Sequence, residues 1–164
     1  MSRSGYSDGD CDSVEDMLRM CGWQANVRRC IGGRKGQAFM WQLYLALEAL
    51  PEPVLVTGAL INREGDYCAL GAVARFRGME IPEQFRETEE VEPDEYEFAS
   101  AMGSFLGIKD MLAREVMYHN DDDDDWHEVP GPPKRYCSLR RSDNPHERWL
   151  RMRAWVVEQL RGIP

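Results

Sequence analysis

Residues 58–75 read Gly58-Ala59-Leu60-Ile61-Asn62-Arg63-Glu64-Gly65-Asp66-Tyr67-Cys68-Ala69-Leu70-Gly71-Ala72-Val73-Ala74-Arg75, and they constrain the fold more than any other stretch. A strand-like run passes through a turn rich in Asn, Gly and Asp, then becomes an apolar segment of helical period. The small residues Ala69, Gly71 and Ala72, set between Leu70, Val73 and Ala74, suit a helix that approaches its neighbours closely. Upstream, Val54-Leu55-Val56-Thr57 has strand composition, so a short β-hairpin is expected near residues 54–67. A lone hairpin is marginal in water and has to lie against helices.

Helical patterns flank this stretch on both sides. The first is expected over residues 13–31, capped by Asp12 with Glu15 three residues on. Gly32-Gly33 should end it, because glycine reaches the left-handed cap without strain. The second begins near Arg34–Gly36 and turns Phe39, Leu43, Leu47 and Leu50 inward until Pro51 and Pro53 stop it. The third starts at Cys68 and ends at Gly78. A fourth runs from Pro93 to about Leu106, Gly107 breaks it, and a fifth follows over Lys109–His119. The last opens on Asn144-Pro145, a cap plus a first-turn proline, and carries Trp149, Met152, Trp155, Val156 and Leu160. The expected fold is mainly α (α+β), with about five helices by apolar period and the one small hairpin. Residues 1–12 form a polar tail and residues 13–164 a single helical domain. The expected core is Leu18, Val27, Ile31, Phe39, Leu43, Leu47, Leu70, Val73, Phe98, Leu112, Val116, Trp149, Met152 and Trp155.

Charge narrows the function. The 164 residues carry 29 acidic and 20 basic side chains, a formal net charge of -9. That balance disfavours general binding to nucleic acid or anionic membrane and suits docking on a basic surface. No run approaches the ~18 apolar residues of a membrane span. Five cysteines, an odd number without Cys-x-x-Cys spacing and without a preceding secretory signal, fit free thiols in a reducing cytoplasm. The acidity gathers in two expected loops, residues 79–97 and 120–133. Their candidate partner-binding residues are Glu87, Glu89, Glu90, Glu92 and Asp94 in the first, and Asp121, Asp122, Asp123, Asp124, Asp125 and Trp126 in the second.

Other constellations are weaker. Residues 98–119 have the outline of a helix-turn-helix, but the second helix offers Lys109, Asp110, Arg114 and Glu115, and five aspartates follow it, a field that repels phosphate. The Asp121–Asp125 run lacks the spacing and glycine of a calcium loop. His119, His127 and His146 have no zinc spacing. Cys68 sits among apolar neighbours, which suits burial better than nucleophilic catalysis. Gly32-Gly33-Arg34-Lys35-Gly36 could hold a phosphate at a helix start, yet lacks the full phosphate-loop spacing. No cofactor, metal or catalytic set is expected.

Arg34-Lys35-Gly36-Gln37-Ala38-Phe39, Asp66-Tyr67-Cys68-Ala69-Leu70-Gly71-Ala72 and Leu112-Ala113-Arg114-Glu115-Val116-Met117-Tyr118-His119-Asn120-Asp121 resemble landmarks of a family of small uncharacterised phage and prophage proteins. The likeness spans roughly residues 23–160 and implies a phage origin and the host cytoplasm. The expectation is a non-enzymatic phage accessory protein that binds a host protein through its acidic loops and inhibits a defence or nucleic-acid enzyme. The alternative is a helix-turn-helix regulator using residues 98–119.

Overall fold

The computed structural model describes residues 14–87, 95–122, 126–129, 135–138 and 144–161. Among them are six α-helices: α1 (Val14–Gly32), α2 (Arg34–Glu48), α3 (Ala69–Phe76), α4 (Glu95–Leu106), α5 (Asp110–Met117) and α6 (Pro145–Gln159). The molecule is mainly helical, as the apolar period requires. The expected tail and its Asp12 cap lie outside the described residues.

Helix α2 is the central element, packed against α1, α3 and α6, while α5 lies against α1, α3 and α4. Gly36, Phe39, Met40, Leu43, Ala46 and Leu47 form the inward face of α2 at helical spacing. One continuous cluster joins these residues to Val27, Ile31, Leu70, Val73, Phe98, Leu112, Val116 and Met152. Burying such a side chain is worth roughly 1.5–3 kcal/mol, so this cluster supplies the main folding drive. Two expectations of the core need correction. Leu18 is 67% exposed, since this part of α1 runs past the cluster. Trp149 and Trp155 pack against the core only partly buried.

The caps follow local chemistry. Asn144 accepts a hydrogen bond from the His146 N–H (2.9 Å), and Pro145 occupies the first turn of α6. Gly78 and Gly107 take positive φ just beyond α3 and α4. Gly33 does not adopt the expected left-handed conformation: its φ is -75°, and it serves as the N-cap of α2. The next helix starts immediately, so the chain extends there instead of curling back.

The expected hairpin at 54–67 is not formed. Residues 54–67 contain a single antiparallel bridge, Ile61 to Tyr67, closed by the Asn62–Asp66 turn. Gly58 at φ 89° interrupts the extended run before it. The Leu60 N–H donates to Phe85 O (2.8 Å) and the Glu87 N–H to Ile61 O (3.1 Å), so the second edge of this segment pairs with residues 85–87. Antiparallel pairing occurs elsewhere, between β1 (Trp126–Val129) and β2 (Arg135–Ser138), in register from Trp126 opposite Ser138 to Val129 opposite Arg135. The loop expected over residues 120–133 thus contains the strand β1.

Candidate functional site

The stretch that dominates the sequence also organises the structure. Cys68 is the N-cap of α3, and its Sγ accepts from the Gly71 N–H at 3.4 Å. A Cβ on Gly71 would lie 1.9 Å from Leu60 O, so only glycine lets α3 meet the 54–68 segment. The first N–H of the helix, that of Ala69, is fully buried and donates to Asn120 Oδ1 at 3.0 Å. Asn120 Nδ2 donates to Val56 O at 2.9 Å. One side chain, only 2% exposed, thus ties the end of the α5 region to both the irregular segment and the start of α3. It stands where α5 gives way to a π-helical turn, Tyr118–Asp122. Two of the three sequence landmarks, around Cys68 and around Asn120, therefore meet at one point.

The chemistry available there is limited. The adjoining pocket, lined in part by Cys68, Leu70, Phe98, Met117, Asn120 and Asp121, has a volume of about 10 Å³. That is room for about one water molecule, against roughly 300–1,000 Å³ for a ligand site. Cys68 is buried as a cap rather than presented as a nucleophile. Burial pushes the Cys30 thiol up from its ordinary value, with Lys109 opposing and Asp110 reinforcing the shift. Among the described residues no group of three His, Cys, Asp or Glu side chains is arranged to hold a metal ion. Nor is any helix there long and apolar enough to cross a membrane. His119 lies 3.4 Å from Glu115 and stacks on Trp155 with ring centroids 4.2 Å apart.

The sequence-derived acidic candidates fall into three groups. Glu87 is anchored: its backbone pairs with Ile61, and its carboxylate accepts the Arg63 N–H at 3.2 Å. Just before it, Glu80 and Glu83 are exposed, and Glu83 reaches Arg86 at 3.7 Å. Asp121 and Asp122 belong to the π-helical turn, where Asp121 is half-buried and accepts from Asn120 Nδ2. Trp126 opens β1. Glu89, Glu90, Glu92, Asp94, Asp123, Asp124 and Asp125 lie outside the described residues. Two arginines of the last helix have partners away from these segments: Arg148 Nη1 donates to Leu55 O at 2.7 Å, and Arg153 pairs with Glu48.

The rival constellations fare differently. In the helix-turn-helix outline, α5 buries Leu112, Ala113, Arg114, Val116 and Met117, and Arg114 lies over the Trp23 ring at 5.9 Å. A recognition helix needs an exposed face of base-reading side chains, whereas the exposed positions here are Lys109 and Asp110. In the glycine-rich turn, a Cβ on Gly36 would meet Cys30 O at 2.1 Å, so that glycine serves a close helix–helix approach. Gln37 braces the same corner, donating to Ile31 O and Gln159 O and accepting from the Arg161 N–H. The chain matches no protein-family model, no curated protein and no solved structure.

Proposed function

We propose that this chain is a non-enzymatic binding protein whose two acidic segments, residues 79–97 and 120–133, engage a basic surface on another protein. The observation that supports this is the segregation of charge. Those segments hold fifteen of the 29 acidic residues and one of the twenty basic ones, which leaves the rest of the chain with nineteen basic against fourteen acidic. A net charge of -9 concentrated this way steers a basic partner to one region and repels others of like sign.

In this reading the protein is a phage accessory protein acting in the host cytoplasm, and its partner is a host defence or nucleic-acid enzyme whose phosphate-binding cleft the carboxylates occupy. The test replaces Glu87, Glu89, Glu90, Glu92, Asp94 and Asp121–Asp125 by their amides, which keeps shape while removing charge. Affinity capture from host lysate at low and physiological salt should recover a defined basic partner with the unaltered chain and lose it with the amide variant. Equal recovery by both would refute the proposal.

A further inference from the structure

A second surface, of opposite character, lies where α2 meets α3. Gln42, Leu45 and Ala49 share one face of α2 at three- and four-residue spacing. Arg77 grips one end of that ridge, its Nε donating to Gln42 Oε1 at 3.0 Å and its Nη1 to Leu106 O. Arg75 grips the other end, donating to Ala49 O at 3.2 Å with its guanidinium 5.8 Å from the Tyr67 ring centre. Leu45 stands in sequence between the two anchor points, Gln42 and the C-cap Ala49, and Phe76, the last residue of α3, stands between Arg75 and the C-cap Arg77. They are 46% and 45% exposed, two of the four large apolar side chains that the described surface leaves open.

The state of the two arginines makes this more than an apolar spot. Each is held by neutral acceptors, and neither has a carboxylate within ion-pair distance among the described residues. Arg153, by contrast, is neutralised by Glu48. Desolvation presses the Arg77 pKa below its ordinary value, as expected for a cation held without a counter-charge. In a chain with 29 acidic residues, two pre-oriented guanidiniums with only neutral acceptors among the described residues flank exposed Leu45 and Phe76. Arginine and aromatic side chains are the usual anchors of protein interfaces, and a guanidinium already fixed in place loses less freedom on binding.

We infer that this face docks a short acidic protein segment that supplies carboxylates to Arg75 and Arg77 and an apolar side chain to Leu45 and Phe76. Charge complementarity selects this occupant. A nucleic acid would bring many phosphates into the field of a chain of net charge -9, whereas a segment with a few carboxylates meets mainly the local cations. The small footprint places the complex among weak, transient interfaces.

The test uses the full chain and a fluorescein-labelled synthetic peptide in which glutamate pairs flank a Leu-Trp core, read by anisotropy. Binding should saturate and weaken roughly tenfold or more in Arg75→Gln and in Phe76→Ser. The same peptide with lysine in place of glutamate should not bind. Leu45→Ser, which leaves both arginine hydrogen bonds in place, should weaken binding similarly, so one poorly folding variant does not leave the question open. The amide variant of the acidic segments should bind this peptide at least as tightly, which separates the two surfaces. No saturable binding at low salt, or affinity unchanged in all three variants, would overturn the inference. So would preference for a single-stranded deoxythymidine oligomer, or a dimer in sedimentation that Phe76→Ser dissolves, since either assigns the face to another occupant.

Discussion

Replacing Asn120 by alanine tests the structural reading at its most concentrated point. The substitution strips a buried acceptor from the Ala69 N–H and a donor from Val56 O. Ala69 has no exposed surface, so its N–H would lose its partner at a cost of about 1–3 kcal/mol. The Val56 carbonyl, half-buried, loses a net ~1 kcal/mol. The two together come to about 2–4 kcal/mol. Entry of a water through the enlarged neighbouring pocket would move the result toward the lower figure. At ~2–4 °C per kcal/mol for a chain of this size, the melting temperature should fall by roughly 5–15 °C. Denaturant unfolding followed by circular dichroism gives the free energy directly. Asn120→Asp is the comparison. It keeps the acceptor for Ala69 but removes the donor to Val56 O and sets a carboxylate beside Asp121. It should therefore destabilise as well, because the Val56 carbonyl loses its donor and two carboxylates become neighbours. A change within ~0.5 kcal/mol for Asn120→Ala, the level of an unremarkable surface substitution, would refute the bridging role.

Further outcomes follow from the same geometry. Gly71→Ala should destabilise by a few kcal/mol, because its Cβ meets backbone at Leu60 O, while Gly22→Ala, in open space within α1, should stabilise by about 0.5–1 kcal/mol; both are read from melts. Trp155→Ala should cost ~2 kcal/mol, below the 3–5 kcal/mol of a fully buried tryptophan, because Trp155 is only partly buried on His119, and Leu18→Ala should change stability by less than ~0.5 kcal/mol. In thiol labelling resolved by site, Cys21 should react faster than Cys30, and Cys68 only on unfolding. The raised Cys30 pKa makes its labelling keep climbing with pH beyond the ordinary thiol range. The stability linked to that thiol is present below the unfolded value and lost as pH rises toward the folded one, a slope that Cys30→Ser should remove.

Much of the helical body is legible in the sequence because apolar period and burial are the same fact seen twice. Phe39, Leu43 and Leu47 on α2, and Leu112 and Val116 on α5, repeat at helical spacing and are buried together. The expected hairpin does not form, for a reason that local pattern cannot supply. The backbone groups of Leu60 and Ile61 are taken by residues 85–87, a pairing across more than twenty residues. Leu18 fits the period of α1 but lies beyond the reach of the cluster. The Asn120 bridge had a usable signal: it continues the buried series Leu112, Ala113, Val116, Met117 as a polar residue in an inward position, and a polar side chain buried there needs partners. The Arg75–Arg77 clamp had none, because only the packed structure shows that both arginines bind neutral acceptors.

The most direct measurement of the central claim is the salt dependence of the affinity between the captured basic partner and two forms of this chain, unaltered and with the acidic segments converted to amides. The unaltered chain should bind with a dissociation constant that rises steeply with salt, and the amide form should bind weakly with most of that slope gone. Matching affinities and matching slopes for the two forms would place the working surface elsewhere on the molecule.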